Sequence, residues 1–253
     1  MSAGTIDPRN AAFLAEMGIT PLWQLRAAPP PAQELPPVVA DTAAAAEPAP
    51  AAEPDIGQMD WRTLNNAIAA CARCGCNANN DGKGARKAVA GDGARAAVWM
   101  VLAGATTAQD EADRQPLAGA PGKLLDNMLK AVQLSREENV YVTNLVKCRL
   151  TSASGGERAP TADELQACRP FVERELALCG AGVVLTLGQV ATNAVLDQPA
   201  GAPLAGSRGT VHQFGGAALV ATLHPAELLK RGGDKALAWA DLCLARATHG
   251  QPG

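Results

Sequence analysis

The chain is short of aromatic side chains, with one Tyr, three Phe and four Trp among 253 residues. That shortage does not exclude a packed core, because apolar residues still make up 47% of the sequence. No apolar run approaches the roughly 20 residues that a membrane span requires. The opening MSAGTIDPRN carries neither the basic segment nor the apolar stretch of a secretory leader. Together these absences predict a cytoplasmic, bacterial-type protein with no membrane partner. An excess of one charge is missing too, since the formal net charge is −3. Global attraction to nucleic acid is therefore not expected, although a local basic groove would be invisible in the total. In a cytoplasmic setting the seven cysteines read as thiols or metal ligands rather than disulfides.

What is present divides the chain. Residues 7–26 read as a short helix and arm: Asp7-Pro8 supplies a cap and a first-turn proline, and Phe13, Leu14 and Met17 share one side. Leu22, Trp23 and Leu25 could dock a protein partner or pack back on the domain. Residues 27–57 hold eight prolines and no Lys or Arg, the composition of a disordered linker. A globular domain is expected over 58–249, followed by a tail at 250–253. Within it, Val98–Ala103, Asn139–Val146, Gly182–Leu187 and Ala218–Leu223 read as strands. Helical patterns cover Lys123–Leu134, Thr161–Leu178, Gln189–Leu196 and Lys235–Arg246, and Thr161 with Glu164 forms a capping box. Strands apolar on both faces that alternate with helices predict an α/β fold, a three-layer α/β/α sandwich around a mostly parallel sheet.

CARCGC places three thiols at Cys71, Cys74 and Cys76. Two thiolates on one turn can reach a single ion, and two further ligands are needed to complete a site. Cys148, ending the second strand, and Cys168, on the following helix, would close a four-thiolate set with Cys71 and Cys74. Cys168 also shares a helical face with Leu165, Val172 and Leu176, so a plain core position is the alternative. Cys76 is a spare. Cys179 and Cys243 sit in apolar helical surroundings and read as core.

The loop after the first strand, GATTAQDEADRQPLAGAPG, contains no aromatic, His or Cys. Downstream, GKLLDNMLKAVQL, VYVTNLVKCR, VVLTLGQVA, SRGTVHQF, ATLHPAELLKR and KALAWADL follow in order. Over residues 59–246 this series resembles the iron–sulfur branch of the uracil-DNA glycosylase superfamily, often called family four. The resemblance implies a [4Fe–4S] cluster on Cys71, Cys74, Cys148 and Cys168, with zinc as the alternative occupant. It implies a uracil-DNA glycosylase-like fold and hydrolysis of the N-glycosidic bond of uracil, or a related deaminated base, for base-excision repair. A monomer acting on damaged DNA in the nucleoid is expected.

The same resemblance assigns roles. Asn144 reads the base edge, since an amide can accept from N3–H and donate to O4; a strand-end Asn bonded to backbone is the alternative. His224 faces the uracil O2 and the DNA backbone. Lys230 and Arg231 touch phosphate, unless they form an ordinary solvated helix end. The first motif departs from the family pattern: Gly104 matches, but Ala105 stands where an acid is expected, and Leu117 replaces the stacking phenylalanine. Glu111 aligns with a later family glutamate and is the best surviving carboxylate, although acids on a loop are commonly just solvated. The expected activity is weakened. The rival expectation is an inactive iron–sulfur relative that binds DNA or recruits a partner.

Overall fold

The computed structural model describes Arg9, Glu16 and residues 55–74, 87–152 and 154–249. The chain divides into a unit ending at Ala52 and another starting at Glu53. In the first unit the two described residues are helical and exposed. The rest of the 7–26 arm, the linker as far as Pro54, Cys76 and the 250–253 tail lie outside the described residues. Ile56, within the stretch whose composition reads as linker, is buried with Met59, Leu64, Ile68 and Phe171.

The second unit is built on six strands: β1 (Asp92–Gly93), β2 (Trp99–Thr106), β3 (Val140–Arg149), β4 (Val183–Leu187), β5 (Val211–Phe214) and β6 (Ala217–Thr222). Their order across the sheet is β1-β3-β2-β4-β6-β5. The four longer central strands are parallel, and β1 and β5 add antiparallel edges. Those four lie where the apolar runs predict them. The two edge strands were not anticipated: one is two residues long, and VHQF has only one fully buried position.

Helices cover both faces. On one face, Met100 and Leu102 of β2 and Val184 of β4 pack on α4 (Ala162–Cys179) and α5 (Gly188–Val195), through Val172, Leu176, Ala191 and Val195. On the other, Trp99 and Val101 of β2 and Leu185 of β4 meet α3 (Gly119–Ala131) and α7 (Lys235–His249), through Leu125, Leu129, Leu242 and Ala245. This is the expected three-layer arrangement. Three shorter helices complete the unit: α1 (Trp61–Ala69), α2 (Ala108–Asp113) and α6 (Pro225–Lys230). The Thr161–Glu164 capping box starts α4, and Gly180 ends it in the left-handed conformation.

Cys179 is buried, but Cys243 is exposed, which corrects its reading as core. The buried residues of α7 are Ala238, Asp241, Leu242 and Ala245. At about 100° per residue, Cys243 falls away from that stripe.

Candidate functional site

In an open α/β sheet, groups beyond the carboxyl ends of the strands at a switch in strand order are placed to meet a ligand. Here β2 lies between β3 and β4, and the chain beyond β2 turns directly into α2. A register shift between Ala105 and Thr106 bends β2 as it ends. The Thr106 hydroxyl donates to the Val146 carbonyl at 3.0 Å. Thr107 then caps α2: its hydroxyl accepts from the Asp110 N–H at 3.2 Å, and the Asp110 carboxylate accepts from the Thr107 N–H at 3.1 Å.

That reciprocal box turns Asp110 inward. Its Oδ1 accepts from the Ala118 N–H at 2.8 Å, and its Oδ2 from Asn144 Nδ2 at 3.1 Å. Asn144 lies on β3, 1% exposed, and its Nδ2 also donates to Thr106 Oγ1 at 3.3 Å. Its carbonyl, Oδ1, is buried and has no hydrogen-bond partner. Such an atom carries a desolvation cost of about 1–3 kcal/mol that a ligand donor would relieve.

His224 lies at the turn from β6 into α6, within electrostatic reach of Asp110. Its Nδ1 accepts from the Ala226 N–H at 3.1 Å, capping the helix. With Nδ1 used as an acceptor, the neutral ring carries its proton on Nε2. Burial holds the imidazole pKa below its usual value, against the opposing pull of Glu227 and Asp110. Gly188, at φ +81°, is where β4 passes His224; a Cβ there would come within 3.1 Å of the His224 Cβ.

Other expected site residues are placed differently. Glu111 points away from Asn144: its Oε1 accepts from the Lys87 N–H at 3.0 Å, and its Oε2 lies 3.6 Å from the Arg149 guanidinium. Ala105 packs against the buried group of Val146, Cys148, Leu150 and Cys168. Leu117 is buried among Trp99, Leu125 and their neighbours, at a left-handed φ of 53° that a leucine rarely adopts. Arg136 holds that turn from behind, donating to the Pro116 and Leu117 carbonyls while paired to Asp126 at 2.6 Å. Lys230 and Arg231 are exposed and line a recess of about 360 Å³ with Gln189, Leu204, Leu223 and Glu227.

Cys148 and Cys168 are buried, and Cys71 and Cys74 half-buried. Burial pushes the Cys148 thiol up to about 12, and the nearby Cys168, Cys74 and Cys71 add to the effect. All four are therefore within electrostatic reach of one another. Among the described residues, no group of three or more His, Cys, Asp or Glu side chains stands ready-made around a metal.

Two buried charge networks were missed by the sequence reading. Glu175 on α4 accepts from the Gly91 N–H, the Tyr141 and Thr143 hydroxyls and, at 2.6 Å, the Lys147 ammonium. Asp241 on α7 takes the Arg208 guanidinium and the Thr222 hydroxyl, both at 2.8 Å, two residues before His224. The signal was present: each is an acid on the apolar stripe of its helix. Asp110 was also visible, as the fourth residue of Thr107-x-x-Asp110.

The model of the uracil DNA glycosylase superfamily matches residues 90–244, well over half of the chain. The chain belongs to the uracil-DNA glycosylase superfamily. Within this superfamily it is 32% identical over 111 residues to the type-4 uracil-DNA glycosylase of Sulfurisphaera tokodaii, covering 44% of this chain and 49% of that one. To the type-4 enzyme of Archaeoglobus fulgidus it is 34% identical over 99 residues, 39% and 47% of the two chains. The Thermotoga maritima type-4 enzyme matches at 28% over 122 residues, 48% and 61%. The chain spans about half the length of the first curated relatives it matches. Asn144 and His224 both fall within the stretch matched by the superfamily model.

Proposed function

We propose that this chain hydrolyses the N-glycosidic bond of uracil, or of a related deaminated base, in DNA. The observation that carries the reading is the Asn144 amide, buried within β3 with its Oδ1 unpartnered. An acceptor so held suits the N3–H of uracil and opposes cytosine, whose N3 is itself an acceptor. The nucleotide must leave the base stack to reach it. His224 Nε2–H is then the donor for negative charge on the departing base at O2, and one such preorganised donor is commonly worth about 10²–10³-fold in rate. Lys230 and Arg231, at the exposed far end of α6, suit phosphate.

Of the positions at the β2 turn, none offers a free carboxylate to support the sugar as it becomes cationic. Ala105 has none, Glu111 is engaged by Lys87 and Arg149, and Asp110 is spent on three donors. Turnover is accordingly slow. The same fact favours one second reading, a DNA-binding relative that has lost hydrolysis.

Cys71, Cys74, Cys148 and Cys168 suit a [4Fe–4S] cluster, because an all-thiol set with two buried members is the donor chemistry that soft iron or zinc takes. Bound there, the cluster supplies a covalent brace between the 71–74 segment, the end of β3 and α4. The 7–26 arm, with Leu22, Trp23 and Leu25, is proposed as a protein-docking element.

Single-turnover release of uracil from single- and double-stranded oligonucleotides tests the proposal. Release that falls about 10²-fold or more in Asn144→Ala supports it. Release indifferent to Asn144, or none from folded protein, overturns it, and salt-dependent DNA binding would then favour the second reading.

A further inference from the structure

We infer that Asp110 is a positioning residue that sets base specificity, by fixing which end of the Asn144 amide faces the base. This rests on the uracil reading and adds to it a reason why the site selects uracil. An asparagine side chain is nearly symmetrical in shape, and a turn of 180° about its last bond exchanges an acceptor for a donor. In an unconstrained pocket both orientations would be populated, and the site would lose its discrimination.

Here only one is compatible with the surroundings. Asp110 Oδ2, 3.1 Å from Asn144 Nδ2, belongs to a carboxylate that already accepts the Thr107 and Ala118 amides and has no proton to give. Thr106 Oγ1, at 3.3 Å from the same nitrogen, spends its proton on the Val146 carbonyl. Both neighbours can only accept. The amide NH₂ must face them, and Oδ1 must face away, where it has no partner. The turned orientation would set the Asn144 carbonyl against two acceptors and leave the NH₂ without one.

Asp110 thus acts without touching the base. The Thr107 box aims its carboxylate, and the carboxylate aims Asn144. Asp110→Asn would offer an NH₂ in place of one carboxylate oxygen, giving up the negative charge and one of the two backbone N–H bonds that the carboxylate accepts. Asn144 could then turn its carbonyl inward and present a donor to the base, which matches N3 of cytosine.

The test compares wild type with Asp110→Asn on oligonucleotides carrying 2′-fluoro-deoxyuridine or 2′-fluoro-deoxycytidine. The electron-withdrawing fluorine opposes positive charge on the sugar, so binding is measured without cleavage. Wild type prefers the uracil oligonucleotide, and Asp110→Asn shrinks that preference about tenfold or more. A general weakening that leaves the ratio unchanged overturns the inference and leaves the uracil reading standing. Equal binding of both bases by wild type removes the uracil reading, and with it any selectivity for Asp110 to set. Thermal melting reports whether Asp110→Asn folds. If it does not, Thr107→Val decides, since it removes the hydroxyl half of the box that aims the Asp110 carboxylate. The preference then shrinks by a smaller factor, and an unchanged ratio overturns the inference.

Discussion

Two strand-to-helix turns frame the candidate site, and they use their polar side chains in opposite ways. At the turn from β2 into α2, Thr107 is the cap and Asp110 points inward, both its carboxylate oxygens engaged by the framework. At the turn from β6 into α6, the cap is His224 itself, bonded through Nδ1, with Nε2 left over. In the proposed reading the first turn would act on a base through Asn144, whereas the second would act directly. A side chain near a site is available for chemistry only with the hydrogen-bonding capacity its framework leaves unused. By that measure His224 and Asn144 each retain a group that no framework contact uses, while both oxygens of Asp110 are engaged.

The comparison depends on β3, which carries Asn144 and is pinned to α4 by the Lys147–Glu175 pair. Both partners are buried, with side-chain exposures of 2% and 0%. Lys147→Met takes the ammonium partner from buried Glu175, and removing one member of such a pair costs about 3–5 kcal/mol. The urea midpoint should fall accordingly, and Lys147→Met with Glu175→Leu should recover much of the loss. A midpoint unmoved by Lys147→Met would mean that β3 is held by packing alone.

His224→Ala breaks the second turn. Uracil release should fall about 10²-fold, the usual consequence of losing one preorganised donor. The cap is lost as well, at a cost of about 1 kcal/mol. His224→Asn, which can still cap, should restore stability while leaving release low. Recovery of release in His224→Asn would assign the residue to capping rather than chemistry.

The pH dependence sharpens the same point. Burial lowers the folded-state pKa of His224 from its ordinary value of 6.5. Above 6.5 the ring is neutral in both folded and unfolded chains, and its contribution to stability is fully present. As pH falls below 6.5 the unfolded chain takes up the proton first, and the contribution is lost on the way down through the lower folded value. Stability of wild type should therefore decline on the acid side of 6.5 more steeply than that of His224→Asn. Equal slopes would place the ring in water.

The fold was legible because strands buried on both faces are written as continuous apolar runs, as in Val98–Ala103 and Val183–Leu187. β1 and β5 were not, being too short and too exposed to leave a periodic trace. Asn144 and His224 were singled out by the family resemblance of VYVTNLVKCR and ATLHPAELLKR. Which way neighbouring acids point was harder to see. Asp110 and Glu111 are adjacent on one short helix, and only the capping box separates their directions.

That separation yields the smallest expected effect. Glu111 looks like the better candidate in the sequence, yet its carboxylate serves the Lys87 amide and the Arg149 guanidinium. In Glu111→Gln the side-chain carbonyl still accepts from Lys87, and only the ion pair is given up. Arg149 and Glu111 side chains are 30% and 21% exposed, and pairs reached by solvent contribute about 0–1 kcal/mol. Single-turnover release should change by less than about threefold, with melting little altered. A loss exceeding tenfold in folded protein would mean that Glu111 leaves Lys87 and Arg149 to meet the sugar. The β2 turn would then supply a reacting group after all, and the contrast with the β6 turn would fail.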